Sequence, residues 1–208
     1  MKATAKRIKP ALRQTPSQTV GPYFAYGLAP TQYGYGTGGS LPSLFDERIA
    51  DERTPGEAIE FVGQVFDGAG KPIPDALIEV LQADAQGRFA TDRAAARASG
   101  FRGFGRVGTG TDRLNRFRFF TVKPGATADG HAPHLNVIVL MRGLLLHAFT
   151  RAYFEGEPAN ATDPVLLSVP ARRRPTLIAR RDGSADGRTV YRFDIRMQGD
   201  DETVFFDV

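Results

Sequence analysis

The sequence predicts an all-β protein, a β-sandwich of mixed and antiparallel short strands with long loops and little helix. Short apolar runs recur along the chain and are separated by clusters of turn-forming residues. The clearest run alternates Tyr191, Phe193, Ile195 and Met197 with polar residues, the pattern of a strand that buries one face. The 23 glycines and 14 prolines also favour turns and short strands over long helices.

The first two strands are predicted at residues 57–67 and 76–84. Apolar residues occupy both faces of the first, so we expect this strand to be covered on both sides. The segment that joins the two, DGAGKPIPD, consists of turn-forming residues. We therefore predict that the two strands form a hairpin.

Further strands are predicted at residues 115–122, 135–141, 144–154, 176–179 and 191–198, and residues 202–208 close the chain. Arg142 and Gly143 separate two apolar runs and so predict a hairpin turn. His147 follows three leucines in the second run, and we expect it to be packed or hydrogen-bonded in the core. Only residues 90–99 favour a helix, a short one.

The 208 residues suffice for one domain with a sizeable core, and no linker divides them. We expect a flexible basic arm at residues 1–14 and a single domain at residues 15–208. The absence of cysteine excludes disulfides and thiolate metal sites. The basic N-terminus lacks the apolar run of a signal peptide, and no stretch approaches the roughly 20 apolar residues of a membrane span. These features predict a cytoplasmic protein without membrane contact.

The formal net charge of +4 is a mild basic excess. The densest basic cluster is Arg172–Arg174, which we interpret as a solvated loop or a subunit contact. An anionic ligand or nucleic acid is the alternative partner for such a cluster. Arginines elsewhere alternate with acidic residues, which argues against a nucleic-acid-binding face.

Four segments of the chain carry a resemblance to a known family. They are TPSQTVGPYF near the start, DGAGKPIPDALIEVLQADAQGRF, TVKPGATADGHAPHLNVIV in the middle, and YRFDIRMQGDDETVFFDV at the end. Together they resemble the intradiol ring-cleaving dioxygenases, and most closely the α-type subunits of protocatechuate 3,4-dioxygenases. The likeness spans residues 15–208 except for the loop at residues 34–53.

In this family, two tyrosinates and two histidines in a His-x-His pair hold ferric iron. The resemblance places those four positions at Phe89, Thr127, His134 and Asn136 of this chain. Only His134 retains a ligand residue, and phenylalanine, threonine and asparagine are poor ligands for Fe(III). The resemblance therefore implies that this chain binds no metal, and that a homologous β subunit carries the Fe(III).

The α-type subunits form one wall of the substrate pocket in such enzymes. The resemblance implies that Thr19, Gly21, Tyr23 and Arg142 face the carboxylate of the substrate bound at the partner's iron. It further implies αβ pairs in a higher oligomer that cleaves protocatechuate with O2 to 3-carboxy-cis,cis-muconate, in the β-ketoadipate pathway of aromatic catabolism. No catalytic residue is then expected in this chain alone.

Two other classes of protein remain as alternatives. A β-sandwich binding or adhesion module without a catalytic role would explain DGAGKPIPDA equally well. It would not explain TVKPG followed by HAPH, nor the absence of a signal peptide. A basic nucleic-acid-binding protein would require a clustered cationic face with aromatic residues.

Overall fold

The computed structural model describes residues 14–35 and 45–207. The predicted basic arm therefore lies outside the described residues, except for Gln14. Nine strands form within the described part, namely β1 (Ala58–Phe66), β2 (Leu77–Gln82), β3 (Phe104–Gly108), β4 (Arg116–Val122), β5 (His134–Leu140), β6 (Ala148–Phe154), β7 (Ile178–Ala185), β8 (Arg188–Arg192) and β9 (Ile195–Arg196). Its helices are short, namely α1 (Phe24–Leu28), α2 (Arg93–Ser99), α3 (Pro164–Ser168) and the 3₁₀ turns Pro158–Ala161 and Arg174–Leu177.

The strands follow one hydrogen-bonded path in the order β3-β2-β5-β6-β7-β8-β1-β4, and β9 pairs with β1. β7 joins the two halves of this path: its first residues pair with β6 and its later residues with β8. Most neighbours are antiparallel, whereas β1 runs parallel to β8 and β9, and β6 runs parallel to β7. The predicted mixture of parallel and antiparallel pairing is confirmed.

The larger of two hydrophobic clusters lies between the two halves of the path. It contains Phe61 and Phe117 from one half, and Ile78, Val137 and Phe154 from the other, all at most 1% exposed. Burial of both inner faces against each other defines a sandwich. The all-β fold with little helix is therefore confirmed, and β1 is buried on both faces as predicted.

The predicted hairpin of the first two strands is wrong. The chain does turn back after β1, since Ile73 donates its amide to the carbonyl of Val65 at 2.8 Å. β2, however, pairs with β3 and β5 in the other half. Pro72 and Pro74 have no amide hydrogen for a ladder, so pairing stops there and the chain crosses to the other half.

The hairpin of β5 and β6 is confirmed, but its connection is longer than predicted. β5 ends at Leu140 and β6 begins at Ala148, so residues 141–147 form the connection. His147 is exposed, so the prediction of a core histidine is wrong. Its ring packs edge-on against Phe149, with the two ring centroids 4.6 Å apart. Leu145 and Leu146 are also exposed, at 65% and 67%.

The remaining local predictions have mixed outcomes. The helix expected at residues 90–99 forms as α2, and the carboxylate of Asp92 caps it by accepting from Ala95 N at 2.7 Å. Of the strand expected at residues 176–179, residues 176–177 belong to a 3₁₀ turn and residues 178–179 begin β7. Within the basic cluster, Arg173 and Arg174 donate to the backbone carbonyls of Glu202 and Val169. These two side chains therefore fasten loops of their own chain.

No helix within residues 14–35 and 45–207 is long and apolar enough to cross a membrane.

Candidate functional site

The N-terminal segment, residues 14–35, is fastened to β3 through Gln32 and Tyr33. The side-chain amide of Gln32 donates to the Gly108 carbonyl and accepts from the Gly108 amide, at 2.8 and 2.7 Å. The hydroxyl of Tyr33 lies so close to Gly108 that a Cβ there would come within 2.0 Å of it. Partial burial raises the pKa of Tyr33, so its hydroxyl stays protonated. A side chain at position 108 would thus force the Tyr33 ring to shift.

The same segment reaches the turn between β5 and β6. The hydroxyl oxygen of Thr19 accepts a hydrogen bond from the amide of Gly143 at 2.9 Å. Gly143 has φ +92°, a conformation that favours glycine. The segment around Thr19 and the turn that carries Arg142, both assigned to the substrate pocket by the resemblance, therefore contact each other.

Arg142 lies beside this contact and forms an ion pair with Asp75. Its Nε approaches Oδ2 of Asp75, while the Arg142 side chain remains 59% exposed. Asp75 is the last residue before the buried Ala76 that leads into β2. Sequence reasoning missed this residue, because one aspartate in a turn is an ordinary feature of turns.

Gly21 and Tyr23 complete the predicted set, and both are open to solvent. A Cβ added to Gly21 would meet no atom within 4 Å, and Tyr23 is 77% exposed. The ring of Tyr23 packs edge-on against Tyr26 at 5.7 Å, and Tyr26 lies 4.5 Å from Tyr33. The Tyr23 hydroxyl is thus carried by a packed aromatic cluster and remains available as a donor.

The four positions that the resemblance assigns to iron ligands lie in loops that contact one another and in β5. Gly125 donates its amide to the carbonyl of Asp84 at 2.9 Å, which joins the loop before Thr127 to the loop before Phe89. Thr127 in turn donates its amide to His131 at 3.0 Å and so closes the loop that precedes His134. These hydrogen bonds hold the loops that carry Phe89 and Thr127 close to the start of β5.

The donor atoms at these positions do not fit ferric iron. Phe89 has no donor atom and is 43% exposed, and the hydroxyl of Thr127 is bound to Asp129. Asn136 offers a neutral amide, and no group of three or more His, Cys, Asp or Glu residues within the described ranges is placed to hold a metal ion. Burial lowers the pKa of His134, and its Nδ1 lies 2.7 Å from the carbonyl of Ala132, which defines a neutral ring that donates there.

A buried carboxylate, Asp163, organises the loop before His134. It accepts from the amides of Ala132 and Leu166 and from the hydroxyl of Tyr153, at 2.7–2.9 Å. Burial opposes its ionisation, yet these hydrogen bonds outweigh burial and lower its pKa. Burial also raises the pKa of Tyr153, whose hydroxyl stays a donor. Sequence reasoning missed Asp163, although Asp followed by Pro is a signal for a helix start.

Comparison with known proteins assigns the class. A dioxygenase family model matches residues 44–199. The dioxygenase domain of a dioxygenase and carbohydrate-binding protein fusion from Streptomyces sp. SirexAA-E is 25% identical, with a TM-score of 0.58, over 80% of this chain and 95% of that chain. The chain belongs to this dioxygenase family.

Two relatives support that placement. The protocatechuate 3,4-dioxygenase alpha chain of Burkholderia cepacia is 60% identical over 95% of this chain and 98% of the relative. The beta chain of the same organism's enzyme is 36% identical over 71% of this chain and 67% of the relative. The likeness to the alpha chain is thus both higher and more complete.

Proposed function

We propose that this chain is the α subunit of a protocatechuate 3,4-dioxygenase and works with a homologous, iron-carrying β subunit. The observation that carries the proposal is 60% identity to an alpha chain over 95% of this chain. Phe89, Thr127 and Asn136 lack donor atoms suited to iron, which supports the proposal that the β subunit carries the metal. A chain that keeps the fold without the ligands needs a partner to bind the iron. A β-sandwich binding module would not account for this likeness to dioxygenase chains.

In this proposal the α subunit selects the substrate carboxylate. Arg142 is permanently charged, and its planar fork suits a carboxylate. Thr19, Gly21 and Tyr23 belong to the segment that packs beside it, and the contact between Thr19 and Gly143 supports a shared pocket wall. The chain's own contribution is to bind and orient protocatechuate at the partner's Fe(III).

The holoenzyme would cleave the ring of protocatechuate with O2 between its two hydroxyl-bearing carbons and yield 3-carboxy-cis,cis-muconate. The ferric ion would reside in the β subunit and supply the oxygen chemistry. A higher oligomer of αβ pairs and a place in the cytoplasm, within the β-ketoadipate pathway, belong to the same proposal. The residues described in this chain bind and orient, and none of them is assigned a bond-breaking step.

The surface around Arg142 favours a partner on this side. Leu145 and Leu146 are 65% and 67% exposed in the same connection. Adjacent exposed leucines are typical of surfaces that another molecule covers. A β subunit placed here would bury the leucines and bring Arg142 to the edge of its pocket.

Reconstitution tests the proposal. The chain would be produced alone and together with the β-type chain of its native host, and each preparation would be analysed for iron and for protocatechuate turnover. We expect no bound iron in the lone chain, and iron with formation of 3-carboxy-cis,cis-muconate in the complex. Stoichiometric iron in the lone chain, or full activity of the β chain without this one, would overturn the proposal.

A further inference from the structure

We infer that Asp75 is a positioning residue that holds Arg142 by its Nε, so that the two Nη groups face away from the protein and toward the substrate carboxylate. The inference rests on the proposed function of Arg142. It adds a specificity-determining residue on a different strand connection, 67 positions earlier in the chain.

The pair is built by the register of the sheet. β2 and β5 are antiparallel, with Leu77 opposite Leu140. Extending the same register by two residues would place Asp75 opposite Arg142, just beyond the end of the ladder. Opposite residues at this spacing have Cβ atoms about 5 Å apart, within reach of a cross-strand ion pair.

The two side chains differ sharply in their surroundings. The Asp75 side chain is 18% exposed, and its Oδ2 is buried without a well-formed hydrogen bond from any residue in the described ranges. The Arg142 guanidinium is therefore the main group that compensates this charge. Arg142 itself is 59% exposed and emerges from the pair into solvent.

The backbone on either side of Asp75 is held firmly. The hydroxyl of Thr109, which is fully buried, donates to the carbonyl of Ile73 at 2.7 Å and accepts from the amide of Ala76 at 3.2 Å. Ala76 in turn accepts from the amide of Thr109 at 2.9 Å. Asp75 thus lies between two anchored residues, which hold the backbone that carries its carboxylate.

The edge of the Arg142 guanidinium that Asp75 contacts determines which of its nitrogen atoms can still bind a substrate. The ion pair uses Nε, and neither Nη group forms a hydrogen bond with a residue in the ranges 14–35 and 45–207. The two Nη groups form the end-on fork that binds a carboxylate with two parallel hydrogen bonds. Asp75 therefore leaves the binding edge of Arg142 unoccupied.

Two effects of Asp75 on a bound carboxylate oppose each other. Its negative charge repels the substrate, but from the far side of the guanidinium, so the nearer positive charge outweighs it. The ion pair with Asp75 also restricts the rotamers of Arg142, and arginine is among the side chains that lose the most conformational entropy when they are ordered. Because Arg142 is already ordered before the substrate binds, substrate binding does not include that loss of entropy. The gain from positioning therefore outweighs the repulsion between Asp75 and the substrate carboxylate.

Steady-state kinetics of the αβ complex test this role. For Asp75→Ala we expect KM for protocatechuate to rise roughly five- to tenfold, with kcat unchanged. Asp75→Asn keeps an oxygen that accepts from Nε, so it should recover part of the loss. KM for unsubstituted catechol and the visible absorption of the bound iron should stay as in the parent complex. Glu79→Ala is the matched control, since Glu79 pairs with Arg106 across β2 and β3 with a similarly buried carboxylate.

The Arg142→Ala background separates this inference from the proposed function. There, Asp75→Ala should add no further rise in KM for protocatechuate. A rise that persists in that background, an equal rise for catechol, or a fall in KM would overturn the positioning role. If Arg142→Ala lowers the selectivity for protocatechuate but Asp75→Ala and Asp75→Asn both leave KM unchanged, the positioning role of Asp75 is wrong. The proposed role of Arg142 then still stands. If Arg142→Ala leaves selectivity unchanged, the proposed role of Arg142 fails and the inference fails with it.

Discussion

The hydroxyl of Thr19 and the amide of Gly143 are joined by a hydrogen bond of 2.9 Å, across 124 positions of the chain. This bond fixes the N-terminal segment beside the turn that carries Arg142. It is an exposed bond, so its net contribution to folding is small. Its importance lies in where it holds the segment that contains Gly21 and Tyr23.

Thr19→Val should therefore weaken substrate binding more than folding. Valine keeps the shape of threonine but cannot accept the hydrogen bond, so the segment loses its tie to the turn. We expect kcat/KM for protocatechuate in the αβ complex to fall by roughly two- to tenfold, the equivalent of one hydrogen bond. Thr15→Val is the control, because Thr15 makes no hydrogen bond within the described ranges. Equal losses in the two variants would contradict the assignment.

Much of the fold could be predicted from local patterns. The alternation at residues 191–197 correctly placed Tyr191, Phe193 and Ile195 in the core, since a strand turns alternate residues inward. Pairing was harder to predict, as the wrong hairpin of β1 and β2 shows. A turn-rich connection is compatible with a hairpin or a crossover, and the choice depends on partners that are distant in sequence.

The candidate site likewise contains residues that motifs predicted and residues that motifs could not predict. Thr19 and Arg142 were predicted from motifs, and the structure brings their segments together. Asp75 was missed, because its role depends on the register of two strands that are far apart in sequence. His147 was misplaced, because an apolar run does not reveal where a strand ends and an exposed connection begins.

The pH dependence of stability should carry a contribution from His134. Burial lowers its pKa below the ordinary value of about 6.5, so between pH 7 and 5 the unfolded chain binds more protons than the folded one. The stability that this residue contributes is present above the unfolded pKa and is lost as pH falls through the folded pKa. The limiting slope for one group is about 1.4 kcal/mol per pH unit.

His134→Gln should remove that contribution. The difference in melting temperature between the parent complex and the variant complex should shrink as pH is lowered from 7 to 5. His147→Gln is the matched control for replacing a histidine, because His147 is exposed whereas His134 is buried. Parallel profiles for the parent and His134→Gln would show that His134 does not contribute.

The exposed leucines of the β5–β6 connection should matter for assembly. Replacing both Leu145 and Leu146 with serine removes apolar surface that the proposed β subunit would cover. At about 25 cal/mol per Å2 of apolar area, two such side chains account for roughly 2–5 kcal/mol of association. Sedimentation or size-exclusion titration should show at least a tenfold weaker αβ complex.

The control for assembly is Leu167→Ser, a partly exposed leucine at α3. That substitution should leave the affinity between the subunits unchanged. The lone chain with Leu145→Ser and Leu146→Ser should also be more soluble than the parent, because exposed apolar patches promote association. Unchanged affinity in the double variant would place the partner elsewhere on the chain.

Arg142 should set the preference for a carboxylated catechol. A hydrogen bond to a charged group contributes roughly 1.5–3 kcal/mol, so Arg142→Ala should lower kcat/KM for protocatechuate by about 10- to 150-fold. Activity on unsubstituted catechol should change little, because that substrate has no carboxylate. Arg142→Lys should recover only part of the loss, since an ammonium group cannot reproduce the planar fork. The iron content of the complex should be unaffected, and equal losses on both substrates would make Arg142 a structural or interface residue instead.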